Sequence, residues 1–231
     1  MKKVLLSLTM LAIISTPVLA KSPVANLKIN GDIKPPTCTI NGATQSDVIF
    51  DYGVISPTLI PQSKIYSYSD IGVQNTVTIE CDAKTYLTFT ASDTYADTEL
   101  SVNNTSGWFH LVDKKNPETA VGATLFVWDN VTVDSKPAYI SRANDVAITG
   151  DSFNNVLYKG ATNGWTSEKQ SGVNKNSLKL ISGEIFQSNF RQGMTQNTFI
   201  LSRDELSKKG IDLSNGLDFM GEAVLTFNFG V

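Results

Sequence analysis

The chain has only two cysteines, Cys38 and Cys81. Each closes an extended-looking run: Gly31 to Cys38 reads GDIKPPTC and Asn75 to Cys81 reads NTVTIEC, with DYGVIS lying between them. Whether such thiols pair depends on the compartment, and the N-terminus bears on that. Met1-Lys2-Lys3 is a short basic start, Val4 to Leu19 is largely apolar, and Val18-Leu19-Ala20 supplies the residues a signal peptidase reads. That pattern predicts a secretory signal peptide over 1–20. The apolar run is shorter than the roughly 20 residues a bilayer-spanning helix needs, so an anchor is disfavoured. No cysteine follows Ala20 to take a lipid. In an exported chain two cysteines predict one disulfide, whereas a redox or zinc motif would place them within a few residues of each other. Closing a loop of about 44 residues stabilises a fold by about 4 kcal/mol in the chain-entropy account.

Cleavage after Ala20 leaves 211 of the 231 residues and, with Lys2 and Lys3 removed, takes the formal charge from −3 to −5. A mildly acidic chain without basic clusters excludes nucleic acid and anionic membrane surfaces as partners, since both need concentrated Lys and Arg. No later stretch is apolar enough to insert into a membrane. With no internal repeat and no linker, residues 21–231 are expected to form a single domain.

Period-2 alternation dominates the chain. Leu27, Ile29 and Ile33 alternate with Lys28, Asn30 and Asp32, predicting a first, half-buried strand with Gly31 on its apolar side and an end at Pro35-Pro36. Val48 to Phe50, Thr76 to Cys81, and Leu87 to Ala91 after a turn at Asp82-Ala83-Lys84 are further strands. So are Trp108 to Val112, Gly122 to Trp128, Ala138 to Ser141, Val146 to Thr149 and Ser177 to Phe186. Many short strands separated by Asn, Pro and Gly turns predict an all-β sandwich. Residues 150–176, dense in Asn, Gly, Ser and Lys, read as a surface excursion. Ser202-Arg203-Asp204-Glu205 is a capping box, with Lys208, Lys209 and Gly210 as a stop, and predicts one short helix. Ala223, Leu225, Phe227, Phe229 and Val231 then form the apolar face of a final strand, expected inside a sheet or available for another protein to read.

Groups able to do chemistry are few. The single histidine, His110, lies opposite Phe109 and Leu111 and is expected on a polar face rather than as a base. No nucleophile elbow, phosphate loop or dinucleotide fingerprint occurs. Asp93 and Asp97 flank Tyr95 and could pair as glycosidase carboxylates or calcium ligands, but turn-forming aspartates explain them more simply. Trp108 and Trp128 sit on apolar strands; Trp165, in the polar excursion, is the candidate for contact with a sugar. No catalytic residue, metal site or cofactor is expected, and the chain does not read as an enzyme.

The arrangement LKINGDIKPPTC, FDYGVIS, VTIEC resembles the opening of chaperone–usher pilin subunits. It is more closely similar to a group of enterobacterial fimbria-like exported proteins whose domain has no assigned function. The motifs that carry the likeness are Asp51-Tyr52-Gly53, Thr78-Ile79-Glu80-Cys81-Asp82-Ala83, Ala91-Ser92-Asp93 and Asp218-Phe219-Met220-Gly221. The resemblance implies an immunoglobulin-like sandwich lacking one strand, located in the periplasm or on the surface as part of a fimbrium. A periplasmic chaperone or a neighbouring subunit would complete it by strand addition at Ala223, Leu225, Phe227, Phe229 and Val231. Two departures stand out. Only Lys21 to Asn26 precede the expected first strand, too few for a donor extension, and Phe229 is third rather than second from the end. The expected role is a structural or adhesion subunit, terminal in an assembly, with a host or surface glycan as a conceivable ligand. A self-complete β-sandwich binding module is the alternative, and a carboxylate-dependent glycosidase a distant one.

Overall fold

In the computed structural model, residues 23–68, 73–101, 105–150, 153–192 and 198–230 are described. The predicted signal peptide and Val231 lie outside them. Pro23 to Lys34 and the unit beginning at Pro35 are taken separately.

The larger unit is all-β with one disulfide and one short helix, as the alternation predicts. In chain order the strands are β1 (Cys38–Ile40), β2 (Tyr66–Ser67), β3 (Gln74–Asp93), β4 (Trp108–Asp113), β5 (Asn116–Val133), β6 (Lys136–Pro137) and β7 (Tyr139–Ala143). They continue with β8 (Asn163–Thr166), β9 (Ser171–Val173), β10 (Ser182–Gln192) and β11 (Phe199–Ile200). Helix α1 (Arg203–Lys208), β12 (Phe219–Met220) and β13 (Ala223–Phe229) follow. The pairing runs β12-β4-β5-β10-β3-β8-β7-β9, with β1 and β13 also on β3, β6 and β11 on β5, and β2 on β11. Every pairing is antiparallel except β7 with β9.

β3 organises this arrangement. Its first part pairs with β1 and β10, and its second with β8 and β13. The predicted turn at Asp82-Ala83-Lys84 is instead a bulge in one continuous strand, where the β10 register jumps from Gly183↔Thr85 to Ile185↔Glu80. The chain does not reverse there because Asp82 is held to Thr37 through both its side chain and its backbone: Thr37 N donates to Asp82 Oδ1 at 2.8 Å and Asp82 N to Thr37 O at 3.0 Å. One step away, Cys38 stands directly opposite Cys81 and the two are disulfide-bonded.

The main core joins Val77, Ile79, Leu87, Phe89, Trp128, Trp165, Phe186 and Phe190. A second cluster forms around Phe199, Ile200, Leu201 and Leu206, the last from α1, whose cap is Ser202 Oγ accepting the Glu205 N–H at 3.2 Å. A third holds Val156, Tyr158 and Ala161 with Leu125 and Val127.

Those last residues correct the reading of 150–176 as a surface excursion. Val156, Leu157, Tyr158, Ala161 and Trp165 are buried, and β8 is buried throughout. The region is polar in composition because Asn, Gly and Ser serve its turns, while Val156, Leu157, Tyr158, Ala161 and Trp165 face inward and Phe153 stays 57% exposed. Val48 to Phe50 and Val146 to Thr149 are irregular rather than strands, although Val48, Phe50, Val146 and Ile148 still pack on the cores. Among the described residues no helix is long and apolar enough to cross a membrane.

Candidate functional site: an open sheet edge and an exposed apolar segment

β13 forms because alternate residues can meet the main core while the others face water. Its register runs from Ala223↔Asp93 to Phe229↔Leu87 without a break. Ala223, Leu225 and Phe227 pack against the core, the Phe227 ring lying 5.7 Å from that of Phe89 and 6.4 Å from that of Trp165. They are only half-buried, however, and Phe229 is 49% exposed. Among the described residues β3 is the only strand that pairs with β13. Of the two expectations for this strand, a place inside the sheet is corrected: among the described residues β13 is an edge, and its inward side chains are incompletely covered. A free edge offers unpaired backbone groups to any extended chain that can approach it. Across β3 from it, on β8, the buried Trp165 Nε1 and Asn163 Oδ1 have no hydrogen-bond partner.

Pro23 to Lys34 supplies the second feature. Leu27 to Ile33, expected as the first half-buried strand, contains no strand, and every residue from Pro23 to Lys34 is exposed. Leu27 is 98% exposed, Ile29 100% and Ile33 103%. Pro35 and Pro36 cannot donate to a ladder, so regular pairing begins only at Cys38. The segment alternates as a strand should but is irregular and exposed.

The residues considered for chemistry fall elsewhere. His110 is fully buried, not on a polar surface, because β4 lies between β5 and β12 and its four middle residues are all buried. Its Nδ1 is 2.9 Å from Tyr95 O and 2.9 Å from Thr98 Oγ1. Asp93 does form a turn, its Oδ1 accepting the Tyr95 N–H at 3.0 Å, but it is also buried, and Oδ2 accepts the His110 N–H at 3.0 Å. Asp97 is exposed. Among the described residues no cluster of His, Cys, Asp and Glu could hold a metal ion. Trp165, the candidate sugar contact, is 1% exposed and packs on Phe89, Phe186 and Phe227, which corrects that reading. Trp128 is in the main core, and Trp108 packs on Phe199.

The sequence motifs turn out to be structural. Asp51 Oδ1 accepts the Gly53 N–H at 2.8 Å and Gly53 takes φ +62°, so Asp-Tyr-Gly is a turn that sends Tyr52 inward. There Tyr52 meets Tyr68 and Phe219, its hydroxyl lies 2.8 Å from Thr124 Oγ1, and burial pushes its pKa up. Phe219 belongs to Asp218-Phe219-Met220-Gly221, whose Gly221 allows close approach: a Cβ there would lie 2.7 Å from His110 O.

A protein-family model described as "Protein of unknown function (DUF1120)" matches residues 27–125, spanning the Asp-Tyr-Gly, Cys81 and Asp93 motifs but not Asp218 to Gly221. No curated protein and no solved structure matches the chain.

Proposed function

We propose that this protein is an exported, fimbria-like structural or adhesion subunit whose domain is completed by strand addition. The observation that carries the reading is the coexistence of an open, half-covered β13 edge with an unpaired alternating segment, Ala25 to Ile33, on the same chain. Leu27, Ile29, Gly31 and Ile33 fall on one side of an extended chain, and Leu225 and Phe227 leave room for such a side to cover. The apparent lack of a donor extension disappears, because the stretch first read as a strand is available to act as one. A neighbouring copy is then the lasting occupant of the β13 edge, and a periplasmic chaperone would be a transient one. The disulfide supports an oxidising compartment, the periplasm or the cell surface.

The second reading, a self-complete binding module, is favoured by a different observation. Phe89, Phe186 and Trp165 are each no more than 1% exposed with no added strand. Sedimentation velocity over a range of concentrations separates the two. Under the first reading the protein forms complexes between copies that disappear when residues 23–34 are deleted. A monomer at all concentrations, unfolding cooperatively and with residues 23–34 open to protease, establishes the second and overturns the first.

A further inference from the structure

Asp93 and Lys159 meet where the end of β3 passes the segment leading into β8. The Asp93 side chain is fully buried and the Lys159 side chain 21% exposed, with Nζ 3.7 Å from Asp93 Oδ2. Backbone contacts on two sides fix Lys159: its N–H donates to Ser106 O, just before β4, at 2.9 Å, and the Gly160 N–H donates to Ala91 O of β3 at 2.8 Å within a parallel Ala91–Lys159 bridge. The approach of the amine to the carboxyl is therefore built into the fold rather than left to a flexible surface side chain.

The carboxyl is arranged as an electrophile would be. Each oxygen accepts one backbone N–H, from Tyr95 on Oδ1 and from His110 on Oδ2, both at 3.0 Å. Two such donors are suited to holding the charge that develops on oxygen when a nucleophile adds to the carbon. The His110 ring lies close, with Nδ1 4.0 Å from Oδ2 and 2.9 Å from both Tyr95 O and Thr98 Oγ1, so it packs beside the carboxyl that its backbone N–H contacts. Burial holds the Lys159 ammonium below its ordinary pKa, with Asp93 opposing that shift. In a buried pair the neutral amine and neutral acid compete with the ion pair because desolvating two charges is costly.

We propose that Lys159 and Asp93 condense to an intramolecular amide, an isopeptide crosslink between the end of β3 and the segment before β8. The ammonium gives one proton to the carboxylate, and the Nζ lone pair then forms a bond to Cγ. The tetrahedral adduct is held by the Tyr95 and His110 N–H groups. The Cγ–O bond breaks, and the oxygen leaves as one water with the second proton from nitrogen. Atoms and charge balance without any oxidant or cofactor. Fixed proximity drives the step: effective molarities of about 10⁵–10⁸ M for well-oriented groups outweigh the mass action of water on an amide. Enclosure of the carboxyl also keeps water from reversing it.

The test is the mass of the protein purified after export, reduced and denatured, followed by fragmentation of its peptides. The expected result is a mass lower by one water and a branched peptide joining Asp93 to Lys159. Asp93→Ala and Lys159→Ala should each restore the full mass, and Asp93→Asn should lose ammonia in place of water. If a variant fails to fold, the unsubstituted protein alone decides. A full mass, or a lost water located at other residues, overturns the proposal. The result bears on the crosslink only, since assembly through β13 is read by sedimentation and is unaffected by it.

Discussion

Replacing Leu27 and Ile29 together by serine separates assembly from folding. In the isolated chain both side chains are essentially fully exposed, at 98% and 100%, so neither contributes apolar burial to the fold. Substitutions at such positions change stability by no more than about 0.5 kcal/mol. On a neighbour's β13 edge the same side chains would be covered by Leu225, Phe227 and the core behind them. Burying a Leu or Ile side chain is worth about 1.5–3 kcal/mol, so losing two costs about 3–6 kcal/mol of association free energy. At 1.4 kcal/mol per decade this weakens the contact between copies about 10²–10⁴-fold. Analytical ultracentrifugation reads the association, and urea denaturation of the same samples reads the stability. The reasoning is refuted if the double variant associates as the unsubstituted protein does. It is equally refuted if the midpoint falls in urea at concentrations where the protein is monomeric, because the segment would then be part of its own domain's core.

Three further outcomes follow from the geometry. Cys38→Ser with Cys81→Ser should cost about 4 kcal/mol, read as a lower denaturation midpoint, since the bond closes the entire connection from β1 to β3, a sequence separation of 43. Trp165→Ala should cost about 3–5 kcal/mol of stability, as truncation of a buried aromatic does, and should leave any glycan binding of the folded fraction unchanged on an array. Asp134 is held below its ordinary pKa of 3.8, first by the Ile185 N–H and next by that of Glu184. A depressed carboxyl pKa contributes stability that is present above 3.8 and is lost as pH falls through the lower folded value. Asp134→Asn should flatten that acid limb in pH-dependent denaturation and lower the stability at neutral pH, where the contribution it removes is fully present.

Much of the fold could be read from alternation because most strands have one apolar and one polar face. β4, β13 and the helix cap at Ser202 fall where the pattern places them. Pairing was harder to read, since alternation reports that a face is apolar and is silent on whether a partner covers it. That is why Leu27 to Ile33 reads as a first strand although it is irregular and exposed. Pro35-Pro36 was the available signal: two adjacent residues without N–H groups mark where a ladder stops, and the ladder stops on the Leu27 side. Residues 150–176 failed in the opposite way. Mean polarity was high, but Tyr158 and Trp165 are large enough for a few side chains to anchor a polar segment in the core.

The same distinction separates the two sites. The Asp93–Lys159 contact spans β3 and the segment before β8, and neither residue lies in a pattern that points to the other. Only topology brings them together, through the Ala91–Lys159 bridge. The β13 edge, by contrast, rests on local pattern, apolar alternation at Ala223 to Phe229, and so does the segment proposed to cover it in a neighbouring copy, at Ala25 to Ile33. Alternation on an exposed chain is costly to keep in solution, since bare apolar strands invite aggregation. A chain that carries Leu27, Ile29 and Ile33 in the open therefore needs something to cover them. An edge whose inward side chains are half-covered needs an extended strand of that same period. In the proposed assembly each feature would supply what the other lacks, and two copies would satisfy both.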